Sequence, residues 1–279
     1  MVWQHDIVRS MNETIEKKFD DMGARVRIRP LQPRDSRRLR ETLTGWPRLD
    51  VLRDRKGEYF DIAVPNDGSI EVVDFRPDDR HLLLLARSPK GEKAKFLCGH
   101  DERHWFVCAV PEREGVRDVR TAKRALQPES VREKITAKRV KPEHQLRRHN
   151  EAYTRQGEWF FVAADFEPPA SEVLRNEPLS RGRGSKPHIV DLVYRQGGTL
   201  VHVHNRHAPS GITQSQFQAL ADDVRKQPGW TRMARDPEVY AKGRVRHPDH
   251  KTIVLESWHR VFMNTEAQSP AAANVVFLD

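Results

Sequence analysis

Between Glu58 and Val110 five short apolar stretches follow one another, EYFDIAV, IEVVDF, HLLLLAR, AKFLCG and HWFVCAV, and the gaps PNDGS, RPDDR and SPKGEK carry the residues that turns require. Each stretch is shorter than a stable helix, and hairpin-length connections of this kind join antiparallel neighbours. The pattern predicts a mainly antiparallel β-meander over 58–110. The next segment, VRDVRTAKRAL, repeats its apolar residues Val116, Val119, Ala122 and Leu126 at helical spacing before Pro128. A helix over 116–127 would cover one face of the meander, which sets the fold class as α+β.

The flanks are less regular. Met11, Ile15, Phe19 and Met22 predict an amphipathic helix near 10–22, ended by Gly23, and ARVRIRPL alternates as a strand with Arg25, Arg27 and Arg29 outward. Residues 131–149 are basic with little apolar periodicity and read as a connecting segment. GEWFFVAADF then reads as a strand, or as an aromatic platform for stacked bases. Pro, Gly, Ser and Arg dominate 169–186, which reads as a linker or long loop. This divides the chain into an N-terminal α+β domain at 1–168 and a second, smaller α+β unit at 187–279. The second unit holds the strands PHIVDLVYR, GTLVHVH, VYAKGRVRH, KTIVLE and HRVFMN. It also holds a helix, TQSQFQALADDVRKQ, with Thr213 as N-cap.

Forty-nine Lys and Arg against forty Asp and Glu leave a net charge of +9, an imbalance that favours polyanionic partners. Eleven Phe and six Trp argue against wholesale disorder, which avoids large aromatics. No apolar run approaches the roughly 20 residues of a membrane span, and the N-terminus lacks the order of a signal peptide. Cys98 and Cys108 are too few for a disulfide framework. A cytoplasmic protein with free thiols is the expectation.

Histidine is where the sequence offers chemistry. LVHVHNRHAP places His202 and His204 on one face of a strand, about 7 Å apart, with His207 beyond. A divalent ion, zinc first, could take two such ligands and a third from His207, from a later carboxylate such as Asp222 or Asp223, or from a histidine elsewhere. A strand with histidine on its polar face fits the same alternation. His202-x-His204 with Thr213 nine residues on is similar to part of the JAMM-type zinc isopeptidase motif, although Asn205 stands in place of the proline and Gln216 in place of the aspartate ligand. A second cluster, GRVRHPDHKTIVLESWHR, holds His247, His250 and His259. Its His250-Lys251-Thr252-Ile253 resembles one of the two His-x-Thr elements of the two-histidine phosphoesterases, present here in one copy. Arg206-His207 and Arg246-His247 echo one another as corners suited to an anion. Cys98, His100, His104 and Cys108 could suggest zinc, but hairpin parity, with Cys98 opposite Trp105, sends the two sulfurs to opposite faces and makes Cys108 a core residue.

Nucleotide loops, dinucleotide fingerprints, nucleophile elbows and His-Glu-x-x-His helices are missing from the sequence. Charge therefore leads to the expected function, which is binding of RNA, DNA or another phosphate-rich ligand. Its contacts would be Lys138, Arg139, Lys141, Arg147 and Arg148 in the basic connector, Arg181 and Arg183 in the Arg-Gly loop, and Arg206 and Arg246 at the Arg-His corners. A metal-dependent hydrolase, nuclease or isopeptidase built on His202, His204, His207, His247 and His250 is the alternative. A non-enzymatic interaction module is a third.

Overall fold

A computed structural model describes residues 13–32, 46–112, 115–180, 186–269, 272 and 275–276. Met11, Arg181 and Arg183 lie outside the described residues. The architecture is mixed, with several mostly antiparallel sheets and few helices, broadly α+β.

A first helix, α1 (13–21), lays Ile15 and Phe19 inward, and Met22 just beyond it is buried too. β1 (Val26–Pro30) follows, then β2 (Arg48–Asp54) and β3 (Gly57–Val64). β3 does not join the strands that succeed it. It pairs in parallel with β1 and antiparallel with β2, and the expected five-strand run loses its first member to a separate sheet. The remaining four, β4 (Ser69–Arg76), β5 (His81–Arg87), β6 (Lys93–Asp101) and β7 (His104–Val110), pair antiparallel in sequence order.

Both faces of this four-stranded sheet are buried, which explains why β5 reads as unbroken leucine. Leu82, Leu84, Phe96, Cys98 and Val107 pack toward Phe19, Phe60 and Ile62, whereas Leu83, Leu97 and Cys108 pack with Val119, Ala122 and Ala125 of α2 (Val119–Ala125). The two cysteines are therefore free, buried and on opposite faces. Cys98 stands opposite Val107 rather than Trp105, a shift of two that preserves the parity. The helix begins at Asp118, whose side chain caps Thr121 N, so it is shorter than the apolar spacing suggested.

The connector of 131–149 is corrected by a third helix, α3 (Glu129–Ala137). Val131 and Ile135 are one turn apart and buried against Tyr153, Phe160 and Val162, so two apolar residues suffice to dock a helix whose other faces are charged. The outward arginines of β1 are no free basic stripe either. Arg25 pairs with Asp54, and Arg27 and Arg29 both bond Asp61.

Further along come β8 (Thr154–Gln156), β9 (Trp159–Ala163), β10 (Leu174–Leu179) and β11 (His188–Gln196). Beyond them, β12 (Thr199–His204), β13 (Ala208–Thr213) and β14 (Thr231–Arg235) form a three-stranded sheet of their own. The expected helix over 213–227 breaks into α4 (Gln214–Gln218), capped by Thr213, and α5 (Asp222–Arg225). β15 (Glu238–His247) and β16 (His250–Met263) complete a six-stranded sheet ordered β10-β11-β15-β16-β9-β8. KTIVLE and HRVFMN thus belong to one 14-residue strand. Phe161, Val190, Val193, Ala241, Val245 and Leu255 of this sheet pack into one buried cluster. The sheet curls until Gln156, in β8, donates to the carbonyls of Val245 and Lys251.

The chain end returns to the first half. Glu266 accepts from Ala109 N, Thr265 donates to the Ala125 carbonyl, and β17 (Val275–Val276) pairs in parallel with β2. No helix among the described residues is long and apolar enough to cross a membrane.

Candidate metal centre

Two strands and a turn bring His247 and His250 together. Pro248 and Asp249 form a two-residue connection between β15 and β16, and the flanking histidines are direct cross-strand partners. Residues so paired present side chains on the same face. On the other side of β15, Ile189 of β11 is partnered with Arg246, so the preceding residue, His188, lies beside His247. Three neighbouring strands each contribute one imidazole to the same rung. Ring centroids are 4.3 Å apart for His188 and His247, 4.7 Å for His247 and His250, and 5.6 Å for His188 and His250.

One nitrogen from each ring lies within 4.8 Å of the others, the one such group of three among the described residues. Two nitrogens on a tetrahedral zinc stand roughly 3.3 Å apart, because each Zn–N bond is about 2.0–2.1 Å. Strand register already fixes the Cα positions, so rotation of the side chains closes the gap. Rotation is also required by ring orientation, since the rings are tilted by only 21–31° and an ion must lie in the plane of each.

The surroundings suit a neutral imidazole, the form that binds a metal. His188 is 1% exposed, and neither of its nitrogens has a hydrogen-bond partner. Burial, with His247 and His250 alongside, pushes it down to about 3. Burial and then His247 lower His250 as well. Its Nδ1 is buried with no hydrogen-bond partner, and the Glu102 carboxylate stands beside it with Oε2 at 3.7 Å. Glu102 is itself held by Arg148 at 2.6 Å and by Lys251 N at 2.6 Å. A carboxylate fixed beside one ring nitrogen directs the other toward an ion. His247 is more committed: its Nδ1 accepts from Asp249 N, and its Nε2 faces the Lys186 carbonyl at 3.3 Å. Ligation by His247 replaces one of these two bonds.

Gly157 opens the space in front of the rings. It sits in the two-residue turn between β8 and β9 at φ +56°, where a side chain is disfavoured. A Cβ there would lie 2.9 Å from His250 Nε2 and 3.4 Å from His188 Nε2. Beyond Gly157 a cleft of about 800 Å³ runs between the six-stranded sheet and the ends of β5, β6 and β7, and His247 and His250 line it. Its charge is balanced: Arg53, Lys123, Arg148, Arg155 and Lys186 face Glu58, Asp101, Glu158, Asp249 and Glu266. Burial works to raise Asp101, but Arg155 and Arg148 outweigh it and keep the carboxyl ionised below its usual range. On the far wall, burial and nearby Lys123 push His81 down to about 4.

His202, His204 and His207 are elsewhere. His202 stacks on Phe217 at 4.0 Å and bonds Gln214. His204 Nε2 meets the Pro228 carbonyl while its Nδ1 accepts from Arg206 N and His207 N, and His207 bonds Gln227. These rings serve as the polar face of β12 against α4 and the following turn. Of the five histidines expected as ligands, the structure brings together His247 and His250, with His188 as the third. His259 is apart from them, its Nδ1 on the Ser257 carbonyl.

The expected anion contacts divide. Arg148 is bound to Asp101 and Glu102, and Arg246 to Asp191 and Asn176. Arg206 is exposed on the β12–β13 turn, in a different sheet from Arg246, so the two Arg-His corners do not meet. Lys138, Arg139, Lys141 and Arg147 are exposed on the segment after α3. No protein-family model, no curated protein and no solved structure matches the chain.

Proposed function

We propose that the chain is a metal-dependent hydrolase whose divalent ion, zinc first, is held by His188, His247 and His250. The carrying observation is the meeting of three imidazoles on one rung, two of which, His188 and His250, keep buried nitrogens with no hydrogen-bond partner. Leaving such a group unsatisfied costs about 1–3 kcal/mol, a cost that ligation removes. Structural zinc sites are closed by four protein ligands, whereas catalytic ones use three and keep a position for water or substrate. Here His247 and His250 line a cleft and Gly157 leaves room beside the Nε2 atoms of His250 and His188, which fits the second arrangement. A bound ion would supply Lewis acidity to a substrate carbonyl or phosphoryl oxygen. Glu102 would orient His250, and Arg148 would hold Glu102.

Protein purified without chelator or affinity tag, then exposed to zinc and dialysed, should retain about one ion per chain by elemental analysis, as three histidine ligands and one open position imply. His188→Gln with His250→Gln should remove it. Retention of no stoichiometric metal by the wild type overturns the reading.

Binding of nucleic acid or another phosphate-rich ligand stays as a second reading, supported by the exposed Lys138, Arg139, Lys141 and Arg147. The charge-balanced cleft argues that this contact, if made, lies outside it. Reversing all four charges should weaken anisotropy-detected binding of single- or double-stranded probes and flatten its salt dependence, with each lost phosphate contact worth a slope of about 0.9. No binding by the wild type at about 50 mM salt, where phosphate contacts are strongest, rejects this reading.

A further inference from the structure

We propose that Glu58 and His104 are a proton-transfer pair serving the cleft, acting on esters with an oxygen leaving group. The inference rests on the hydrolytic reading above but uses residues from the opposite wall. Glu58 Oε1 lies 2.6 Å from His104 Nδ1, and Glu58 Oε2 accepts from Trp105 N at 3.0 Å. Two consecutive residues of β7 thus clamp one carboxylate. An ionised carboxylate only accepts, so Nδ1 is the donor toward Glu58 and Nε2 is the nitrogen left to exchange a proton with the cleft. A carboxylate behind an imidazole fixes its tautomer and stabilises the cation formed when the ring takes a proton.

Nε2 points to the hairpin that carries the candidate ligands, with Asp249 Oδ1 at 3.5 Å. Asp249 Oδ2 is taken by Lys186 Nζ at 2.8 Å, and Asp249 N donates to His247. Two acceptors, His104 Nε2 and Asp249 Oδ1, therefore converge on one point beside His247, and a hydroxyl there can donate to either. The strand that carries the ring is anchored beside it. Trp105, next in sequence, packs edge-on against Phe60 and His100 with the Arg80 guanidinium over its face at 4.4 Å.

In the reaction, water oxygen bonds to the ester's carbonyl or phosphoryl centre as one water proton passes to His104 Nε2. The bond to the leaving oxygen then breaks, and that oxygen takes the proton back from Nε2. Acid and alcohol are released, His104 ends neutral, and Glu58 stays ionised throughout.

The test measures hydrolysis of p-nitrophenyl acetate and phenyl acetate by full-length wild type, His104→Gln and Glu58→Gln, with metal content determined on the same samples. Loss of a general acid–base group costs about 10²–10⁴-fold. His104→Gln should lose that in kcat at unchanged KM and metal content, and should lose more on phenyl acetate, whose poorer leaving group needs the returned proton. Free imidazole should partly rescue His104→Ala, a recovery that misfolded protein cannot show. Turnover indifferent to His104, equal losses on both esters, no rescue, or no wild-type turnover of either ester overturns the pair. His104-dependent turnover in protein that retains no metal removes the metal reading and keeps the pair. Metal-loaded protein with His104-independent turnover does the reverse.

Discussion

Replacing His188 by leucine separates a metal ligand from an ordinary core residue, because the two roles predict opposite changes. An ion at 100 times its Kd stabilises a single site by about 2.7 kcal/mol. Unfolding entropy of about 2.1 cal/mol/K per residue gives a chain of 279 residues roughly 0.6 kcal/mol per degree, so saturating zinc should raise the wild-type Tm by about 5 °C. His188→Leu removes one of three ligands and should reduce that rise to less than about 1 °C at the same zinc concentration. Without metal the signs differ. The imidazole is buried with both nitrogens unpaired, and one such group costs about 1–3 kcal/mol. Leucine has a similar volume and no polar atom, so the metal-free variant should melt at or above the wild-type temperature. Scanning calorimetry of both proteins, with chelator and with zinc, gives the four Tm values. A zinc-induced rise that survives in His188→Leu, or a metal-free variant that melts several degrees lower, rules out His188 as a ligand.

Gly157→Ala leaves every ligand in place but puts a Cβ against His250 Nε2 at a left-handed position. It should cost about 1–2 kcal/mol in denaturant unfolding and lower zinc content together. Phe60→Ala empties a site that Phe19 and Trp105 share, and should cost about 3–5 kcal/mol by the same measurement. His81 gives a pH signature. Its folded value of about 4 lies below that of the unfolded chain, so the unfolded state alone takes a proton at intermediate pH. Stability present above about pH 6.5 is then lost as pH falls toward 4. Partial exposure reduces the ideal effect, and His81→Gln should shrink the drop between pH 7.5 and pH 5 by about 1 kcal/mol. A drop of unchanged size shows that His81 does not carry it.

Strand segments were largely legible because alternation and turn residues are local signals. Their partners were not. Nothing in EYFDIAV tells whether it pairs with the strand after it or, as found, with β1 and β2 in another sheet. α3 was hidden because a helix that docks through Val131 and Ile135 alone looks like a polar connector. The candidate site follows the same rule. His247-Pro248-Asp249-His250 could be read as a hairpin with both rings on one face, since a two-residue turn sets the parity. His188 joins them through the register of β11 on β15, a contact made 59 positions away and invisible to spacing. Glu58 and His104 are separated in the same way, by 46 residues. Trios such as His202, His204 and His207 attract notice because they are close in sequence, yet their nitrogens are already bonded to Gln214, Pro228 and Gln227.

Gln196, the last residue of β11, is the register partner of Glu238, the first of β15, and their side chains meet at 2.9 Å. Everything from 197 to 237 therefore leaves and re-enters the sheet through one narrow doorway, as an annex on the end of a hairpin. Loop entropy grows only slowly with length, so a hairpin end tolerates such an addition. His188 and His247 occupy the opposite end of the same two strands. Exchange of the annex for a two-residue Asn-Gly turn should thus leave zinc retention intact while deleting the chain's densest run of histidines. In evolutionary terms, the annex is free to drift, be lost or acquire a partner of its own without disturbing the cleft.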